Sequence, residues 1–179
     1  AALALCREHN LKLEMAAILY SLGHHARERG DAMQSRSYLQ ACLQIRHEDN
    51  LASPMLSNLL LTMAEVEIVA ENAAEALRLL DESLVALSQT DPPASPLQRI
   101  NDLAWEANHR AHAFQLQGNF SKAKMLLHQS LDYFSGRRTG QTLQSWLRAA
   151  SAYTYQSLGE NALSEHNLTE SREHSQESL

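Results

Sequence analysis

The sequence predicts an all-α protein built as a stack of helical hairpins, an α-solenoid, and three observations carry that prediction. The first is composition: the 179 residues include 30 Leu and 25 Ala but only 3 Val and 4 Ile. Helices favour Ala and Leu, whereas strands favour β-branched and aromatic residues. With 44% apolar and 20% charged residues the chain can build a core and does not have the composition of a disordered polymer. The second is periodicity: apolar residues recur three and four apart along most of the chain. The third is self-similarity. Four short segments, Arg29-Gly30-Asp31, Ala70-Glu71-Asn72, Gln117-Gly118-Asn119 and Leu158-Gly159-Glu160, follow one another at steps of 41, 47 and 41 residues. The six extra residues of the middle step coincide with Asp91-Pro92-Pro93-Ala94-Ser95-Pro96, where an inserted loop lengthens one unit without disturbing the others.

The elements follow in chain order. Arg7-Glu8-His9-Asn10-Leu11 resembles Arg46-His47-Glu48-Asp49-Asn50-Leu51 one period of 40 later, so residues 1–9 are the end of a preceding hairpin's second helix. Eight helices are expected after it, over 12–29, 31–47, 54–70, 72–89, 96–117, 119–135, 140–158 and 160–176. Leu39, Cys42 and Leu43 mark the second of these. Ala73, Ala76, Leu80, Leu84 and Leu87 mark the fourth. Ala104, Ala107, Ala111 and Phe114 run up to the third turn, and Phe120, Ala123, Leu127, Leu131 and Phe134 run away from it. Ser53-Pro54 and Ser95-Pro96 each supply an N-cap followed by Pro in the first helical turn, and Gly136 follows the helix expected to end at Ser135.

Tyr20-Ser21-Leu22-Gly23, seven residues before Gly30-Asp31, resembles the first-helix Leu-Gly and the turn Gly of the tetratricopeptide repeat. Ala64, Ala111 and Ala152 occupy the slot of Gly23 in the later units, and Ala76 and Ala123 fill the family's small-residue slot early in the second helix. Ser35 and Ser164 replace that Ala in the first and fourth units, and Glu67 stands where an aromatic residue would pack. Glu67 is therefore expected to reach Arg78 or water, or to mark a loosened second unit. The steps of 41 exceed the family's ~34 residues, which resembles longer variants of bacterial regulatory and signalling proteins. The resemblance spans residues 12–176 and implies a right-handed superhelix of about four hairpins plus the partial N-terminal one. Residues 1–179 are read as a single such domain. A start at Ala1 rather than Met, and ends without polar caps, are read as an internal segment of a longer chain.

Several function classes are set aside. A formal charge of −6, from 15 basic and 21 acidic residues without runs of one sign, does not suit a phosphate-tracking groove, so no nucleic-acid partner is expected. No stretch reaches the ~18 apolar residues of a membrane span, and no secretory leader opens the chain, so a cytoplasmic protein without a membrane partner is expected. Cys6 and Cys42 sit in apolar helical patterns, as core thiols do. Among nine histidines, His109 and His112 lie three apart on one helix, where a zinc site would want a third ligand such as a carboxylate at suitable reach, and adjacent His24 and His25 point ~100° apart on a helix and are not expected to converge. No His-Glu-x-x-His, Cys-x-x-Cys, phosphate loop or nucleophile elbow occurs, so no metal, cofactor or catalytic residue is assigned and this segment is not expected to be an enzyme. With no secretory signal read in the sequence, the sequons at Asn119 and Asn167 are expected to be chance matches.

What remains is a surface. In the family resembled, the first helix of each hairpin lines the concave groove. That places Tyr20, His24 and Arg27 there from the first unit, Asn58, Leu61 and Glu65 from the second, Trp105, Asn108 and His112 from the third, and Trp146, Ala149 and Tyr153 from the fourth. Aromatic rings beside amides and charges are the composition of a binding face. Core packing between hairpins is the competing reading of Trp105 and Trp146. The resemblance implies a non-catalytic module binding a protein or peptide partner within a larger bacterial signalling or transcription-regulating protein. Similar domains accompany enzymatic output domains such as diguanylate cyclases. A scaffold subunit and a small-molecule receptor are the alternatives, and uncapped ends leave homodimerisation open.

Overall fold

The computed structural model describes residues 2–48, 54–89, 95–135 and 143–164, together with 174, 176 and 177. Every regular element among them is an α-helix. The chain divides into two compact units, 1–94 and 95–179. Unit 1 contains α1 (Ala2–Glu8), α2 (Lys12–Glu28), α3 (Ala32–Glu48), α4 (Pro54–Val69) and α5 (Ala73–Ser88). Unit 2 contains α6 (Pro96–Leu116), α7 (Phe120–Ser135) and α8 (Leu143–Ser164). The pairs α2/α3, α4/α5 and α6/α7 are antiparallel hairpins. In unit 1, α1 packs on α2, and α4 packs on both α2 and α3; in unit 2, α8 packs on both α6 and α7.

One local device makes the turns. At Asn10, Gly30, Glu71 and Gly118 the backbone enters the left-handed region, with φ of 53°, 76°, 58° and 73°. Around each, the next residue's N–H reaches back five positions (Leu11 to Cys6, Asp31 to Ala26, Asn72 to Glu67, Asn119 to Phe114), and the left-handed residue's own N–H reaches back three. This satisfies carbonyls that the helix end would strand. At the last three turns the following residue then caps the next helix: the Asp31, Asn72 and Asn119 side chains accept from the N–H of Gln34, Glu75 and Lys122. Ser95 caps α6 in the same manner, with Pro96 in the first turn. The cap at Ser53, the Gly136 stop and the second copy of Asn10-Leu11 at residues 50–51 lie outside the described residues.

The hairpins close on small residues. A Cβ added to Gly23 would meet the Leu39 side chain at 2.6 Å, so α2 and α3 touch there. Ala64, Ala76, Ala111 and Ala123 are all fully buried. Buried hydroxyl and thiol groups pin the helices of a hairpin by donating to a backbone carbonyl of the partner helix: Ser35 Oγ to Gly23 at 2.8 Å, Ser130 Oγ to Ala104 at 2.9 Å, and Cys42 Sγ to Ala16 at 3.2 Å. Burial pushes the Cys42 thiol upward in pKa.

Two expectations are corrected. The fourth turn, expected at Leu158-Gly159-Glu160, does not form, because α8 runs through it to Ser164. Glu160 stands where the three formed turns carry Asp or Asn, and its longer side chain is not a helix N-cap. Asn161, 1% exposed, also needs the helical path: its Nδ2 donates to the Phe120 carbonyl, and its Oδ1 accepts from Gln115. The helices expected over 140–158 and 160–176 are therefore one helix as far as Ser164. The second correction is Glu67, whose carboxylate takes Arg36 Nε at 2.6 Å, Arg36 Nη2 at 2.9 Å and Asn72 Nδ2 at 3.0 Å. Arg78, the partner expected from sequence, pairs with Glu75 and Glu82 on its own helix.

Candidate functional site

In unit 1 the predicted residues meet because α2 and α4 pack side by side. Tyr20 hydrogen-bonds Thr62 at 3.2 Å, and Arg27 forms an ion pair with Glu65 across the two helices. Arg27 also donates to His24 Nε2 at 3.2 Å, which ties three of the predicted residues into one cluster. Asn58 is half-buried on the same helix, with its carbonyl accepting from Thr62 Oγ1. Leu61 is 6% exposed and belongs to the core.

Unit 2 presents a different chemistry on the matching pair of helices, α6 and α8. The ring of Tyr153, 39% exposed, lies 5.6 Å from Trp105 and 6.0 Å from His112, centroid to centroid. His112 Nε2 hydrogen-bonds Ser157 Oγ at 3.1 Å. Trp105 is half-buried, stacks on His109 at 5.8 Å, and packs its edge on Phe134 against Ala104 and Ala150. Its indole is therefore partly core and partly face. Beneath it Asn108 is fully buried and donates through Nδ2 to Thr154 Oγ1 at 3.2 Å. The Thr154 hydroxyl is itself spent on the Ala150 carbonyl, which fixes the Asn108 amide with Nδ2 toward Thr154. The helix of Trp146 and Ala149 is described, but their side chains lie outside the described residues. His109 and His112 engage different partners, as stated above for the stack and the Ser157 bond.

Sequence reasoning missed a convergence. His24 and His25, expected to diverge, both lean toward Glu28: His25 Nδ1 lies 3.1 Å from Glu28 Oε2, and His24 Nδ1 lies 3.5 Å from Glu28 Oε1. The reason is spacing, since position 28 lies three residues from one histidine and four from the other, and both offsets face each other on a helix. The hydrogen bond from His25 holds the Glu28 carboxyl below the usual carboxylate range. The sequence signal was His-His-x-x-Glu. A second group missed is Asp102 on α6, 1% exposed, whose carboxyl is pushed up to about 6 by burial.

No helix among the described residues is long and apolar enough to cross a membrane. No family model matches the chain, and no curated protein matches it. Among solved structures, the chain is similar to BtubC (BKLC) from P. vanneervenii, with a TM-score of 0.71 at 15% identity over 93% of this chain. The match covers 63% of that protein's chain, so this chain spans somewhat under two thirds of its length. At that identity the likeness is one of fold.

Proposed function

We propose that this chain is a tetratricopeptide-type α-solenoid segment that binds a protein or peptide partner through the inward helices of its hairpins, as a non-catalytic module of a larger regulatory or signalling protein. The observation that carries the reading is the face of unit 2, where the exposed Tyr153 ring lies beside Trp105 and His112. Amphipathic rings held by packing bind with little loss of conformational freedom, and such residues dominate interface energies. Unit 1 supports the reading with Tyr20, His24, Arg27 and Glu65 on its equivalent helices, a charged surface that would orient a partner.

The test is selection from a display library of random peptides on the purified chain, followed by affinity measurements on the parent, Tyr153→Ala and Arg27→Ala. Tyr153 is exposed, so its truncation leaves the helices intact. The expected result is enriched peptides whose affinity falls tenfold or more in Tyr153→Ala at unchanged helical content. Enriched peptides that bind both variants as tightly as the parent would place the binding surface elsewhere.

A further inference from the structure

The two histidines and the carboxylate of α2 form a three-ligand constellation on one helical turn. One ring nitrogen from each of His24 and His25 and a Glu28 carboxylate oxygen all lie within 4.8 Å of one another. A four-coordinate zinc with bonds of ~2.0–2.1 Å needs its ligand atoms roughly 3.3 Å apart. The two histidine–carboxylate separations, 3.1 Å from His25 to Oε2 and 3.5 Å from His24 to Oε1, lie close to that value on the two oxygens of one carboxylate. The side chains are 37%, 68% and 52% exposed, so drawing both imidazoles and one carboxylate oxygen onto an ion costs only side-chain rotation. Two imidazoles and one carboxylate suit borderline divalent ions such as zinc, nickel and copper rather than calcium or magnesium, which prefer oxygen.

We propose that His24, His25 and Glu28 form a binding site for a divalent transition-metal ion, with the remaining coordination positions open to water or to a ligand from a partner. The surrounding hydrogen bonds specify how it works. Arg27 donates to His24 Nε2, and a guanidinium cannot accept, so that nitrogen carries the lone pair and Nδ1 carries the proton directed at Glu28. His25 likewise directs Nδ1–H at the carboxylate. A metal takes the place of those two N–H groups: each neutral ring moves its proton to Nε2, and both Nδ1 lone pairs and a carboxylate oxygen turn to the ion. For His24 the relocated Nε2–H faces the Arg27 guanidinium, so that hydrogen bond is given up while Arg27 keeps its pair with Glu65. Arg27 therefore competes with the metal, both as a donor to His24 and as a nearby positive charge.

The competition separates this site from the chain's other histidines. The experiment is calorimetric titration of the chelator-treated full chain with zinc, with cobalt absorption as a second readout of ligand type, on the parent, His25→Ala, Glu28→Gln and Arg27→Ala. All three positions are on the surface of α2 or tied to it, and circular dichroism verifies that each variant folds. The expected result is one saturable site in the parent, weakened tenfold or more in His25→Ala and in Glu28→Gln, and strengthened in Arg27→Ala. Absence of saturable binding in the parent, retention of full affinity in His25→Ala or Glu28→Gln, or weakening in Arg27→Ala each overturns the proposal.

Discussion

The two units differ in the polar contacts that join their helices. In unit 1 two of the links between hairpins are ionic, Arg27 with Glu65 between α2 and α4 and Arg36 with Glu67 between α3 and α4, beside the neutral Tyr20–Thr62 hydrogen bond. In unit 2 the α6–α8 contacts include the hydrogen bonds of Asn108 with Thr154, His112 with Ser157 and Gln115 with Asn161, and the Trp105–Tyr153 ring contact. Ionic links need both partners charged and lose strength with acid or salt, whereas amide and hydroxyl links such as Asn108–Thr154 and Gln115–Asn161 are indifferent to both. The same hairpin geometry therefore tolerates two different kinds of polar contact, because the apolar and small-residue seam within each hairpin does most of the packing. Ala76 and Ala123, 47 residues apart and both fully buried, are that seam's equivalent points in the two units. Ala76→Glu and Ala123→Glu should each cost on the order of 3–5 kcal/mol, by overpacking and by burying an unpaired charge. Thermal melts in which only one of them is strongly destabilised would break the equivalence.

Acid sharpens the contrast, because the perturbed carboxylates of the two units respond with opposite sign. In unit 1, Arg78 holds the Glu75 carboxyl low, so its contribution is present above the ordinary carboxylate pKa and is lost as pH falls below about 4.5. In unit 2, the buried Asp102 carboxyl is raised from 3.8 to about 6. Between those values the native state holds a proton that the unfolded chain has released, so stability falls as pH rises from about 4 to about 6 and is level above. At ~1.4 kcal/mol per unit the ionised form costs up to about 3 kcal/mol at neutral pH. Asp102→Asn should melt with the parent at pH 4 and several degrees above it at pH 7. A melting difference that stays constant from pH 4 to pH 7 would show that Asp102 does not titrate in this window.

The ionic links of unit 1 can be cut singly. Glu67 is 8% exposed at the side chain while its partner Arg36 is 37% exposed, so Arg36 recovers some hydration when the pair is broken. The loss in Glu67→Leu is thereby held below the ~3–5 kcal/mol of a fully buried pair, at about 2 kcal/mol. For a chain of this length that is a fall of roughly 4–8 °C in melting temperature. Glu67→Gln, which can still accept from Asn72, should lose less. A parent-like melt for Glu67→Leu would mean that the second hairpin is held by its apolar seam alone.

Much of the helical order was legible in the sequence, for reasons that particular residues make plain. The first seven helices begin and end within one residue of the expected positions, within the ordinary uncertainty of helix ends, because turn, cap and periodicity agreed at Gly30-Asp31, Glu71-Asn72 and Gly118-Asn119. At Gly159-Glu160 only the glycine agreed. Asn161, the residue that decides the path, acts through Phe120 and Gln115, partners some 41 and 46 positions away that periodicity does not reveal. The candidate residues were legible only as helix faces; α2/α4 join Arg27 with His24 and Glu65, and α6/α8 bring Tyr153 beside Trp105 and His112. Depth was not legible: Asn108 and Leu61 share the spacing of the face but are buried, because neighbouring helices cover them. Nor was the turning of His24 and His25 toward Glu28, which depends on side-chain rotation around a carboxylate rather than on where each Cβ points.

The smallest expected effect lies at two matching turns, one in each unit, that carry different residues in the left-handed position. Unit 1 places Glu71 in the left-handed region at φ 58°, and unit 2 places Gly118 there at φ 73°. For an L-residue with a side chain that conformation costs about 1–2 kcal/mol, whereas glycine adopts it freely but loses about 0.4–1 kcal/mol more in ordering the chain. The net advantage of glycine is roughly 0.5–1 kcal/mol. A Cβ at position 118 would meet nothing within 4 Å, so Gly118→Ala changes backbone preference without a clash. Glu71→Gly and Gly118→Ala should therefore shift the melting temperature by similar amounts in opposite directions, about 1–4 °C up and down. A fall in Glu71→Gly would mean that the Glu71 side chain contributes more to its turn than the left-handed backbone costs, and the two turns would then be equivalent in geometry but not in what holds them.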